Sequence, residues 1–80
     1  MIPFKTLILI DKSAPTAVFL QVAERLKQLA SEGLLPPGHK LPGTRQLAEL
    51  LQLHRKTIVA AYDELLIEGW LETRPGSGTY

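Results

Sequence analysis

Apolar side chains recur along this chain with a helical period in three places and give way to turn residues between them. In the first, Phe19, Ala23, Leu26 and Ala30 follow one another at intervals of four, three and four. Glu24, Arg25, Lys27 and Gln28 fall largely on other faces, so the spacing predicts a helix with one buried stripe. Its start is read at Ser13-Ala14-Pro15-Thr16, where Ser13 or Thr16 can cap free amides and Pro15 fits a first turn. Its end is read near Glu32, because Gly33 can take the left-handed conformation that closes a helix. Pro36-Pro37-Gly38 cannot continue one, which makes residues 34–40 a turn-rich connection.

The second periodic segment spans 44–51, with Leu47, Ala48 and Leu51 on one face; at about two turns it is marginal unless packed. After Gln52 and Leu53, a third segment places Ile58, Ala61, Tyr62, Leu65 and Leu66 at i, i+3, i+4, i+7 and i+8. Gly69 stands where that helix should stop. Trp70-Leu71-Glu72-Thr73-Arg74, then Pro75-Gly76-Ser77-Gly78, then Thr79-Tyr80 read as strand, tight turn and strand. At the other end, residues 1–13 contain Pro3 and the β-favouring Leu7-Ile8-Leu9-Ile10, and are expected to be extended, as a short strand or an arm over the core. Tyr62 and Trp70 both fall on the apolar pattern and are expected in the core, not as base-stacking platforms.

A helix, then two helices joined by a short turn, then a glycine-tipped hairpin is the order of a winged helix-turn-helix. The predicted fold is therefore mainly α with a small β-hairpin, an arm over 1–13 and a domain over 14–80. Eighty residues suffice for one such domain and are too few for two. With 45% hydrophobic and 21% charged residues, the chain lacks the composition of a disordered tail. The absence of cysteine excludes disulfides and thiolate metal sites and fits a reducing cytoplasm, and His39 and His54 cannot build a metal site alone. The apolar run 7–10 is too short for a membrane span and has no signal-peptide cleavage site.

Charge changes the picture through its placement, since a net +1 gives no bulk attraction to nucleic acid. His39, Lys40, Arg45, His54, Arg55 and Lys56 lie around the starts of the second and third helices, whereas Asp63, Glu64 and Glu68 come later in the third. Helix starts offer unpaired amides to phosphate, and the first turn of a recognition helix reaches base edges. Arg55 is the candidate for a base contact, because its fork can bond guanine O6 and N7 together. Lys56 and Thr57 suit phosphates, Val59 a thymine methyl, and Arg45 a phosphate or the groove from the side. Taken singly, Lys40 and Lys56 read more readily as solvated surface, and His54 as a cap or surface group. Cations at helix starts oppose the helix dipole, which makes three together more telling than one. The 76–78 tip has no following lysine or helix, so it is a β-turn or a wing tip touching the minor groove or backbone, with Arg74 beside it.

No carboxylate pair, nucleophile with base, or metal cluster stands out, so neither an enzyme nor a cofactor held by this chain is expected. The opposing reading is a winged helix used only for protein contacts, in which Arg55 and Lys56 are dispensable and salt barely affects binding.

The segment Leu34-Leu35-Pro36-Pro37-Gly38-His39-Lys40-Leu41-Pro42-Gly43-Thr44-Arg45-Gln46-Leu47-Ala48 resembles the G-x-L-x-P-G-x-x-L-P-S-x-R-x-L-A signature of GntR regulators. The likeness continues through residues 54–58, 61–65, 68–71 and 74–80 and covers the chain from about residue 14. It implies a bacterial transcription regulator that binds double-stranded operator DNA, with a recognition helix over about 54–68 in the major groove and a wing over about 71–80. It also implies DNA contacts for Arg45, His54, Arg55, Lys56, Thr57 and Gly76; Thr44 and Arg74 stand beside them as further candidates. Ala60-Ala61-Tyr62, the 74–79 tip and Pro15-Thr16 look more like the MocR branch, whose members join this domain through a linker to an aminotransferase-like domain binding pyridoxal phosphate. These residues then resemble an N-terminal domain, with dimerisation and effector sensing carried mostly by the remainder and the isolated piece expected to be a monomer. Three positions depart from the signature: Gly43 replaces a serine cap, Gln52 a turn glycine, and His54 a serine or threonine cap.

Overall fold

The N-terminal segment, expected to be extended, instead makes one helical turn that drives two side chains into the core. The computed structural model describes residues 3–36, 38–74, 76 and 78–80. Met1 and Ile2 of the arm, Pro37 of the connection, and Pro75 and Ser77 of the hairpin tip lie outside them. The turn is α1 (Phe4–Leu7), bonded from Thr6 and Leu7 N–H to the Pro3 carbonyl. Local sequence preference alone misjudges it, because Phe4 and Ile8 reach the core only when the backbone coils between them. Residues 8–10 then run on without regular structure.

Helix α2 (Val18–Ser31) starts later than the Ser13 to Thr16 signal suggested. Ser13 is otherwise engaged: its amide and hydroxyl both donate to the Asp11 carboxylate, at 3.0 and 2.6 Å, closing a turn. The start of α2 has no side-chain cap at Ala17. Gln21 ties the preceding loop down, its Nε2 donating to the carbonyls of Asp11 and Thr16 and its Oε1 accepting from the Asp11 amide. The buried stripe is Val22, Ala23, Leu26 and Leu29, rotated slightly from the predicted one, so that Phe19 and Ala30 only flank the core.

Helices α3 (Thr44–Leu51) and α4 (Arg55–Ile67) fall where the periodicity placed them. Leu47 and Ala48 of α3 face Ile58, Ala61, Tyr62 and Leu65 of α4. Helix α4 packs against both α2 and α3, while α1 rests on α3. All three long helices end alike: an amide two or three residues past the helix returns to a carbonyl five residues back, Leu34 to Leu29, Leu53 to Ala48 and Trp70 to Leu65. The residue between is left-handed in each case, and is Gly33, Gln52 or Gly69.

That ending corrects the reading of Trp70 as a core aromatic. Standing just past Gly69, it is 45% exposed on the end of α4, and the neighbouring Leu71 packs against the core in its place. Strands β1 (Thr73–Arg74) and β2 (Gly78–Thr79) pair antiparallel, Thr73 with Thr79 and Arg74 with Gly78. Reciprocal bonds between Glu72 and Tyr80 extend the hairpin, and the Leu41 amide donates to the Thr79 carbonyl at 2.9 Å. The hairpin is thereby stitched to the segment just before α3, completing a winged helix-turn-helix.

Candidate nucleic-acid interface

Two helix starts meet at one end of the domain. Pro42 and Gly43 set where α3 begins, and the buried Tyr62 of α4 fixes that point, its hydroxyl donating to the Pro42 carbonyl at 2.7 Å. Burial holds the Tyr62 phenol well above its usual range, so it remains a donor. Gly43 precedes α3 in an extended conformation without a side-chain cap, as its lack of a side chain dictates. Across the turn, His54 does cap α4: its Nδ1 accepts from the Lys56 amide at 3.2 Å.

Thr44 and Arg55, eleven positions apart in sequence, are brought together here. Arg55 Nε donates to Thr44 Oγ1 at 3.2 Å, linking the first turns of the two helices. Arg45, His54, Arg55 and Lys56 are exposed, Thr44 and Thr57 half-buried, and Val59 is exposed on the next turn of α4. Among the described residues, no carboxylate forms an ion pair with Arg45, Arg55 or Lys56. The ion pairs lie elsewhere: Lys27 with Glu24 and Glu68, and Arg74 with Glu72. Three cations thus gather at helix starts whose dipoles disfavour them, and among the described residues none of the three forms an ion pair that would offset the cost.

On the hairpin, Arg74 is held locally. Its Nε and Nη2 both donate to Glu72 Oε1, at 3.0 and 2.8 Å, and its guanidinium lies 4.1 Å over the Tyr80 ring. Gly76 is left-handed at the tip, a conformation that favours glycine. Lys40 reaches toward the hairpin: a Cβ on Gly78 would meet Lys40 Cε at 2.8 Å. Sequence periodicity placed every candidate on its element but missed three tertiary links: Thr44 to Arg55, Tyr62 to Pro42, and Lys27 to Glu68. Each joins residues far apart in sequence, and no local pattern announces it.

Comparison with known proteins sets this geometry in a family. The chain is 40% identical over 72 residues to the HTH-type pyridoxine biosynthesis transcriptional regulator PdxR of Corynebacterium glutamicum, covering 90% of this chain. It is 39% identical over 74 residues to the probable rhizopine catabolism regulatory protein MocR of Rhizobium meliloti, covering 92% of it. The chain spans only 16% and 15% of the lengths of these two relatives. Among solved structures, YtrA from Sulfolobus acidocaldarius, a GntR-family transcription factor, matches with a TM-score of 0.85 at 35% identity, over 86% of this chain and 73% of that one. The N-terminal domain of AraR, solved in complex with the mutant operator ORR3, matches at 0.73 and 27% identity, over 88% and 97%. The model of the bacterial regulatory proteins of the gntR family matches residues 19–80. With the signature, the winged helix and that span in agreement, the chain belongs to the gntR family of bacterial regulatory proteins.

Proposed function

We propose that this domain binds double-stranded operator DNA sequence-specifically, with α4 in the major groove and the hairpin on the minor groove or backbone. The observation that carries the reading is the group of cations at the joined starts of α3 and α4, none of them paired with a carboxylate among the described residues. In this reading Arg55 contacts a base edge, Arg45, Lys56, Thr57 and Thr44 hold phosphates or the groove wall, and His54 divides its role between cap and backbone contact. Arg74 and Gly76 present the wing. The AraR domain, which shares this fold, was solved with DNA, and the named relatives are regulators.

The finer assignment is to the MocR branch, supported by the sequence of the 74–79 tip and by the likeness to PdxR and MocR. A longer protein of that kind would dimerise on paired half-sites and hold pyridoxal phosphate outside these residues.

The test is fluorescence anisotropy of a labelled duplex, titrated with the domain across a salt series. Affinity should fall steeply with salt. Arg55→Ala should cost about 1 to 3 kcal/mol on the preferred site and relax its sequence preference, whereas Lys56→Ala should weaken all sequences alike. Equal losses on every sequence for both variants would contradict that division of labour. Absence of salt-sensitive binding at low ionic strength would favour a protein-contact module.

A further inference from the structure

Arg55 carries five N–H donors, and how many it can offer a base depends on which are already engaged. Its Nε is: it donates to Thr44 Oγ1 at 3.2 Å. Nη1 and Nη2 remain, and their paired outer edge is the arrangement that meets two acceptors side by side, such as O6 and N7 of guanine. A guanidinium without that tether can also approach through its Nε and Nη2 edge, or swing to a phosphate. We infer that Thr44 is a positioning residue for sequence readout, pinning the Nε of Arg55 so that the guanidinium faces the groove end-on. The inference rests on the DNA-binding reading above.

The surroundings suit the role. Thr44 is the first residue of α3 and half-buried, and its hydroxyl meets Arg55 at the solvent-exposed edge where the two helix starts join. Its height relative to α4 is set by the bond from Tyr62 to the Pro42 carbonyl, two residues before it. The preceding Gly43 brings no side chain of its own to compete for the hydroxyl. Thr44 Oγ1 accepts from Arg55 and keeps its own proton, which leaves it able to donate outward to a phosphate oxygen as well. Among the described residues Arg45 and Lys56 show no side-chain hydrogen bond of this kind, so Arg55 is the one helix-start cation among them whose orientation a neighbouring helix sets.

The experiment starts from a duplex selected out of a randomised pool by the wild-type chain, and a second duplex in which the guanine whose replacement costs wild type most is changed to adenine. Affinities of wild type, Thr44→Ala and Thr44→Ser for both are measured by anisotropy, with melting curves alongside. Expected is a fall of about threefold to tenfold in the guanine-to-adenine ratio for Thr44→Ala at an unchanged Tm, with the ratio restored in Thr44→Ser. In the free protein the Nε–H resonance of Arg55 should exchange slowly with water in wild type and Thr44→Ser, and rapidly in Thr44→Ala. A Thr44→Ala protein that keeps the ratio, or that loses affinity equally for both duplexes, overturns the inference while leaving DNA binding intact. Failure of wild type to select any duplex overturns the DNA-binding reading itself and the inference with it.

Discussion

Gln52 closes α3 at φ +56° and ψ +44°, left-handed like Gly33 and Gly69 at the ends of α2 and α4. Its Cβ crowds the following carbonyl there, where a glycine would not. Gln52→Gly should therefore stabilise the domain by about 1 kcal/mol, raising Tm by about 4 to 8 °C at this size. An unchanged or lower Tm would show that the turn holds glutamine without strain. This position was legible in the sequence, because the family signature and the helix period both demand a sharp turn between Leu51 and Leu53. Trp70 was not. Its hydrophobicity argued for burial, yet the left-handed Gly69 before it turns the chain so that Leu71 takes the inward place. Which of two adjacent apolar residues faces inward depends on the backbone path past a helix end, and composition does not carry that path.

At the scale of elements, the joint between α2 and α4 combines an apolar seam with one polar clasp. Val22, Ala23, Leu26 and Leu29 meet the inner face of α4, and Lys27 donates to Glu68 at 2.6 Å and to Glu24 at 3.2 Å. The hydrogen bond from Lys27 lowers the Glu68 carboxyl below its ordinary 4.5, and the same bond raises Lys27 above 10.5. A lowered carboxyl contributes stability that is present above 4.5 and lost as pH falls through its folded value. A raised lysine contributes stability that is present below 10.5 and lost as pH rises through its own. The clasp thus acts between those limits. Melting curves of wild type and Glu68→Gln should differ at pH 7 and converge as pH falls below 4.5, with the difference at pH 7 shrinking as salt is added. A difference that persists undiminished well below 4.5 would mean the glutamine disturbs packing instead. The seam was partly visible in the period of residues 19–30, but the clasp was not, because 41 residues separate its partners. Helix α3 shows the opposite case: its period, its leading Pro42-Gly43 and its exit are all local, and its bounds agree with the reading from sequence. The late start of α2 lies between, since the capping signal at Ser13 was real as hydrogen-bonding capacity but was used by Asp11.

For the molecule as a whole, the interface has no independent support, because the side chains that hold it in place form one core. Val22 of α2, Leu47 of α3, and Ile58 and Leu65 of α4 are almost wholly enclosed, and Phe4, Ile8, Leu35 and Leu41 close the same cluster from the arm and the connection. Thr44 precedes Leu47, Arg45 precedes Ala48 and Arg55 precedes Ile58 by three positions each, so each of these side chains stands about one turn before a core residue of its own helix. Leu47→Ala should cost about 2 to 5 kcal/mol, a large part of the roughly 4 to 12 kcal/mol expected for a domain of this length. Ile67→Ala, at a side chain 83% exposed, should change stability by no more than about 0.5 kcal/mol. If the core alone sets the geometry of the interface, DNA affinity of the Leu47→Ala protein should follow its folded fraction, approaching that of wild type on cooling and vanishing near its lowered Tm. Anisotropy and melting curves taken over the same temperatures test this. Affinity lost while the fold persists would mean that α3 rotates on α4 without unfolding, and that the joined helix starts have a second, softer arrangement.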